Sequence, residues 1–232
     1  MRPANTKGLL AGTVRLHEVL FPAGARAPAG TRFRLATSRN PRQREPVNFF
    51  PNLPVLETER LRLRPFTPAD VADLQRLAGD KAVADTTLSI PHPYPDGVAE
   101  AWIASHAAKW DAQAELVLAI TLRSSGELMG SISMIFQIAF NLAQLGYWIG
   151  VPYWNQGYTT EAARAVIDHG FQMLGLDRIE AHHMAQNPAS GRVLAKAGMR
   201  REGFSAQALR KNGVLRDVVF YGIDRADWPG LR

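Results

Sequence analysis

The chain has 232 residues, 46% of them hydrophobic, with a formal charge of +6 and no cysteine. That content suffices for one well-cored domain, and the lack of cysteine excludes disulfides, thiolate-held metals and an acyl-cysteine intermediate. No apolar run approaches the roughly 18 residues that a membrane span requires, so a cytoplasmic chain without membrane contact is expected.

The charge is unevenly placed. Residues 1–50 hold nine Lys/Arg and two Asp/Glu, a local +7, while the rest holds 18 and 19, a net −1. The basicity therefore belongs to one segment, and a DNA-binding domain does not follow from it. That segment is rich in Arg, Ala, Pro and Gly and lacks periodicity, which predicts a disordered basic extension over residues 1–53. Its one apolar patch, Leu9 to Phe21, is interrupted by Arg15, His17 and Glu18. A weak, salt-sensitive RNA contact is the partner such a segment would take.

A folded domain is expected over 54–232. Leu61 and Leu63 alternate with Arg60, Arg62 and Arg64, a half-buried strand. Thr67-Pro68-Ala69-Asp70 reads as a helix start capped by Thr67, with Val71, Leu74 and Ala78 on one face. Pro91, Pro93 and Pro95 hold a loop, after which Asp96 is expected to cap a helix with a Val98, Trp102, His106 and Trp110 stripe. Leu116–Leu122, Leu128–Phe136 and Leu145–Gly150 read as strands. A helix carrying Ala163, Val166, Ile167, Gly170 and Phe171 follows, then a strand from Arg178 to Met184 and a helix from about Ala189 to Ala197, closed by a left-handed Gly198. Lys211-Asn212-Gly213 joins two final strands as a hairpin. The order predicts a mixed α/β domain.

The chemistry concentrates at Tyr153-Trp154-Asn155-Gln156-Gly157-Tyr158-Thr159-Thr160-Glu161-Ala162, a turn from a buried strand into a helix. Gly157 frees the backbone at the bend, and Thr159 or Thr160 is expected to cap the helix. The outward N–H groups at the positive helix end suit a phosphate or pyrophosphate. There is no Gly-Lys-Ser/Thr ending for a P-loop and no Gly-x-Gly-x-x-Gly for a dinucleotide fold.

The turn resembles the pyrophosphate loop of the GNAT superfamily of acyl-CoA N-acyltransferases, patterned Gln/Arg-x-x-Gly-x-Gly/Ala. Gly157 takes the first small position and Thr159 the second, while Trp154 stands where Gln or Arg is usual. The Rim-type branch, which acetylates N-termini of ribosomal proteins, commonly has Gly, Lys and Ala where this chain has Asn155, Gln156 and Thr159. Three further segments resemble the family in order: Leu56-Glu57-Thr58-Glu59-Arg60-Leu61, Leu145-Gly146-Tyr147-Trp148-Ile149-Gly150, and Asn187-Pro188-Ala189-Ser190 running to Gly198-Met199.

The resemblance implies the GNAT fold: a mixed, mostly antiparallel sheet with splayed central strands and flanking helices. It implies acetyl-CoA as co-substrate and no metal. Pantetheine would bond backbone groups of Trp148, Ile149 and Gly150, and contact Asn187. Pyrophosphate would sit on the N–H groups of Gln156, Gly157, Tyr158, Thr159 and Thr160. An amine would attack the thioester directly, with Glu180 as the base and an N–H near Ile149 facing the oxyanion. The family's tyrosine proton donor is replaced by Leu194, leaving Ser190 to protonate the departing thiolate. His182 and His183 are adjacent on a strand, point to opposite faces and cannot share a metal; packing or acceptor contacts are their expected roles. The expected acceptor is a protein N-terminal amine, including that of a ribosomal protein. A small amine (an antibiotic, polyamine or amino acid) and a non-catalytic acyl-CoA-binding module are the alternatives, and a monomer or homodimer fits either.

Overall fold

A computed structural model describes residues 52–231; the expected basic extension lies outside the described residues up to position 51. The short strand β1 (Leu56–Glu57) pairs with β2 (Leu61–Arg64). Leu61 and Leu63 are fully buried and Arg62 is exposed, as the alternation requires. A 3-10 turn over Pro68–Asp70 then leads into α1 (Val71–Ala78). Thr67 is the N-cap of this turn with Pro68 first in it, as expected, and Asp70 completes a capping box: its carboxylate accepts from the Thr67 N–H at 2.7 Å and from two Arg64 nitrogens at 2.7 and 2.8 Å.

Three short helices follow: α2 (Lys81–Thr86), α3 (Val98–Ala104) and α4 (His106–Asp111). The single helix expected after Asp96 is thus broken at Ser105. Asp96 does not cap it; Gly97, at φ 80°, takes the N-cap, and Asp96 accepts instead from Gln75 at 2.8 Å. His106 and Trp110 are buried, as their stripe implied.

Strands β3 (Glu115–Leu122), β4 (Leu128–Gln137) and β5 (Leu142–Ile149) form an antiparallel meander. Helix α5 (Tyr158–Gln172) connects β5 to β6 (Arg178–Met184), and α6 (Pro188–Lys196) connects β6 to the hairpin of β7 (Arg200–Lys211) and β8 (Val214–Asp224). Asn212 at φ 47° and Gly213 at φ 79° make the predicted hairpin turn, and Gly198 at φ 95° closes α6. The eight strands are ordered β1-β2-β3-β4-β5-β6-β8-β7.

Both faces of the sheet are covered. Leu116, Leu118, Ile120, Ile132 and Met134 pack beneath Ala163, Val166, Ile167 and Phe171 of α5. On the other face, Val117, Ala119 and Leu128 meet Leu74 and Leu77 of α1 and Ala99 of α3. This double burial explains why Leu116–Ile120 reads as an unbroken apolar run.

The pair β5–β6 is the sheet's only parallel one among the described residues, and it is short. Leu142, Ala143 and Gln144 pair with Arg178, Ile179 and Glu180; beyond Gln144 no pairing continues, although β5 runs to Ile149 and β6 to Met184. The two central strands therefore part into a fork, as the splayed sheet anticipated.

Candidate active site

The fork and the N-terminus of α5 meet at one end of β5. After Ile149 the chain makes a 3-10 turn over Val151–Tyr153, and Gly157 at φ 82° serves as the N-cap of α5. That left-handed backbone is why glycine occupies the bend. The expectation that Thr159 or Thr160 caps the helix is not met: no side chain caps it, and Thr159 is buried. The N–H groups of Tyr158, Thr159 and Thr160 lack intrahelical acceptors and stay available to an anion.

The loop is held by a residue far away in sequence. The Arg60 side chain donates from Nε to Glu161 Oε2 at 2.7 Å and from NH1 to the Gln156 carbonyl at 3.0 Å, and lies 4.4 Å from the centre of the Tyr158 ring. Glu161 Oε1 also accepts from the Arg60 N–H at 2.9 Å and Thr58 Oγ1 at 2.6 Å. Burial alone would raise the Glu161 carboxyl, but these hydrogen bonds and the guanidinium charge outweigh it and hold the group below its usual range. The one acidic group in the first turn of α5 is thus neutralised by a cation from β2's approach. Gln156 bonds its own loop, donating to the Pro152 carbonyl at 2.8 Å.

Backbone direction along β5 determines what faces the fork. Gly150 donates to the Met129 carbonyl at 2.8 Å and accepts from the Tyr153 N–H at 3.0 Å, and by alternation the Trp148 backbone groups face β4. This corrects the expectation for those two residues: Tyr147 and Ile149 are the ones turned toward the gap. The Ile149 carbonyl already accepts from Trp154 Nε1 at 2.8 Å, which leaves its N–H. The indole at the position usually held by Gln or Arg therefore ties the loop to the end of the strand.

Asn187 caps α6 by accepting from the Ser190 N–H at 3.2 Å, and its amide donates to the Thr86 carbonyl at 3.4 Å. Ser190 has a partner that sequence reasoning missed. The Tyr147 hydroxyl lies 2.9 Å from Ser190 Oγ and 3.0 Å from the Ser190 carbonyl. Burial pushes the Tyr147 phenol well above its usual range, and the Ser190 bond offsets only part of that. A hydroxyl pair thus stands on the α5–α6 side of the fork.

The opposite face carries Glu180 and His182. Glu180 Oε1 accepts from Arg178 Nε at 2.8 Å, and Arg178 also binds Glu202 at 2.5 Å and Asp224 at 2.9 Å. His182 Nδ1 lies 2.7 Å from Gln144 Nε2. His183 faces the other way, its Nδ1 2.9 Å from the Met184 carbonyl and its ring 5.7 Å from that of Tyr221. The histidines do part to opposite faces. No cluster of His, Asp and Glu that could hold a metal occurs among the described residues, and none of their helices is long and apolar enough to cross a membrane.

This arrangement, a forked sheet with an open helix N-terminus at its mouth, is that of an acyltransferase. The acetyltransferase (GNAT) domain profile matches residues 60–200, and the chain belongs to that family of acetyl-CoA-dependent N-acetyltransferases. It is 31% identical over 172 residues to the uncharacterised N-acetyltransferase YoaA of Bacillus subtilis, covering 73% of this chain and 96% of that one. It is 33% identical over 107 residues to the ribosomal protein uS5-alanine N-acetyltransferase of Escherichia coli, covering 45% of this chain and 55% of that enzyme. Among solved structures, RimJ of Mycobacterium smegmatis in complex with CoA-disulfide is similar at a TM-score of 0.66 and 26% identity, covering 73% of this chain and 84% of that one.

Proposed function

We propose that this enzyme moves the acetyl group of acetyl-CoA to the N-terminal α-amine of a protein, a ribosomal protein being the acceptor class its relatives favour. The observation that carries the transfer chemistry is the fork itself. Beyond the Gln144–Glu180 pair, the Tyr147 backbone and the Ile149 N–H face a gap that ends at the bare N–H groups of α5. A pantetheine arm can lie there as an added strand, with its pyrophosphate on the N–H groups of Tyr158, Thr159 and Thr160.

The amine nitrogen bonds to the acetyl carbon while the carbon–sulfur bond breaks, and the Ile149 N–H faces the oxygen that gains charge. The departing thiolate takes its proton from Ser190, whose hydroxyl regains one from solvent. Tyr147 donates to the Ser190 carbonyl at 3.0 Å and stands 2.9 Å from Ser190 Oγ, which holds that hydroxyl at the fork. The amine's own proton leaves on the opposite face, where Glu180 and His182 are the titratable groups.

Turnover of acetyl-CoA against short peptides with Ala, Ser, Thr or Met N-termini, run beside polyamines, aminoglycosides and free amino acids, tests the acceptor. Peptide acetylation confined to the α-amine is expected. Turnover of small amines alone refutes the protein acceptor, and tight acetyl-CoA binding without any transfer refutes catalysis.

A further inference from the structure

The two acidic-side groups of the fork differ in what already occupies them. Glu180 stands at the closing pair, its backbone flanked by Gln144 of β5 and Gly222 of β8. Its carboxylate is bound to Arg178, a guanidinium shared with Glu202 and Asp224. A proton delivered to Glu180 would have to break that ion pair, at the point where the strands are still closed.

His182 is the next residue on the same face, one step inside the opening. It is anchored from the neighbouring strands rather than by a charge. The Gln144 amide reaches Nδ1 at 2.7 Å across the fork, and Phe220, its register partner on β8, places a ring centre 6.1 Å away. Gly146 lies two residues past the last paired residue of β5, and an added Cβ there would meet only Ser133 Oγ, at 3.4 Å. No side chain from β5 therefore crowds that position on this face. Nε2 has no hydrogen-bond partner among the described residues. Burial, and after it the neighbouring His183, keeps the ring below its usual value, which favours the neutral form near pH 7. The groups around it are Gln144, Phe220, Met184 and the Arg178-bound Glu180, with His183 on the reverse face.

We propose that His182, held by Gln144 at the opening of the fork, is the base that takes the proton of the acceptor amine. With the Gln144 amide turned so that Oε1 accepts from Nδ1–H, the lone pair lies on Nε2. The amine N–H bond breaks toward Nε2 as the nitrogen–carbon bond forms. The ring becomes an imidazolium and returns its proton to solvent, while sulfur takes the Ser190 proton and solvent restores that hydroxyl. Glu180 then acts as a positioning residue that orders Arg178 beside the site. The inference rests on the amine acetyltransfer proposed above.

The test compares wild type, His182→Gln and Glu180→Gln with acetyl-CoA and an Ala-starting hexapeptide from pH 6 to 9.5. Calorimetry with acetyl-CoA and circular dichroism accompany each variant. For His182→Gln, a fall in kcat of about 10²–10⁴ at pH 7 is expected with unchanged acetyl-CoA affinity. The deficit should shrink as the peptide's own amine deprotonates above about pH 8. Glu180→Gln should lose much less and keep the wild-type profile. Full activity in His182→Gln, or a loss carried by Glu180→Gln instead, overturns the assignment. If the wild type binds acetyl-CoA but acetylates no peptide, the acceptor reading fails on its own. The His182 ring, followed by NMR in the full chain with CoA bound, then decides separately: a ring neutral at pH 7 supports the base, and one protonated there refutes it.

Discussion

Replacing Arg60 by Met keeps the aliphatic stem over Tyr158 but removes the charge from the phosphate-facing loop. Glu161 then keeps a carboxylate that is only 19% exposed, with Thr58 and one backbone N–H as its remaining partners. That carboxylate lies about one helical pitch, ~5–6 Å, from the N–H groups that would face pyrophosphate. At an effective dielectric of about 20–40 the bare Coulomb repulsion is on the order of 1–3 kcal/mol per phosphate charge. Screening and partial protonation of Glu161 reduce this, so a loss of about 1–2 kcal/mol is expected, a 5- to 30-fold weaker Kd for acetyl-CoA. The effect should be largest at low salt. The double variant Arg60→Met/Glu161→Gln removes the repulsion and should recover most of the affinity, although it makes fewer contacts than the single variant. Calorimetry with acetyl-CoA at two ionic strengths measures both. If Arg60→Met binds as well as wild type, or the double variant binds worse than the single, the neutralising role of Arg60 is wrong.

Gly157→Pro cannot reach φ 82° and removes an N–H, so acetyl-CoA binding should be lost while circular dichroism stays native; unchanged affinity would remove the backbone cradle from the site. Tyr147→Phe deletes one bond to Ser190, worth about 1 kcal/mol, and should cost about fivefold in kcat. Ser190→Ala should cost more, and the double variant no more than Ser190→Ala alone; strictly multiplicative losses in kinetics would separate the two groups. His106 is buried against Phe66 and Trp102 with both ring nitrogens unpartnered, and burial lowers it from 6.5 to about 4. As pH falls from 6.5 toward 4 the unfolded chain takes a proton that the folded chain refuses, so stability drops by about 1.4 kcal/mol per pH unit from this group. His106→Leu should flatten that part of the Tm–pH curve, and parallel wild-type and variant curves would show that His106 is not its source.

Local pattern alone determined a good part of this protein. The alternation of Leu61 and Leu63, the apolar run of β3, the Asn212-Gly213 turn and the left-handed Gly198 each read correctly because they depend on a few adjacent residues. The same holds for the strand–turn–helix around Gly157, since its backbone requirement is met by the glycine itself. Local reading failed where a distant partner competed. Asp96 left the cap of α3 for Gln75, which is 21 residues away in the chain.

The working pairs of the site were decided by tertiary structure. Arg60 and Glu161 are 101 residues apart, Tyr147 and Ser190 are 43 apart, and Gln144 and His182 are 38 apart. Nothing in a hydrophobic period encodes such partners. They meet because β5 and β6 share three residue pairs and then diverge, which sets Gln144 beside His182, and because α6 docks over β5, which brings Ser190 onto Tyr147. The chain chose which residues alternate; the register at which the central strands stop pairing determined which of them face the substrate.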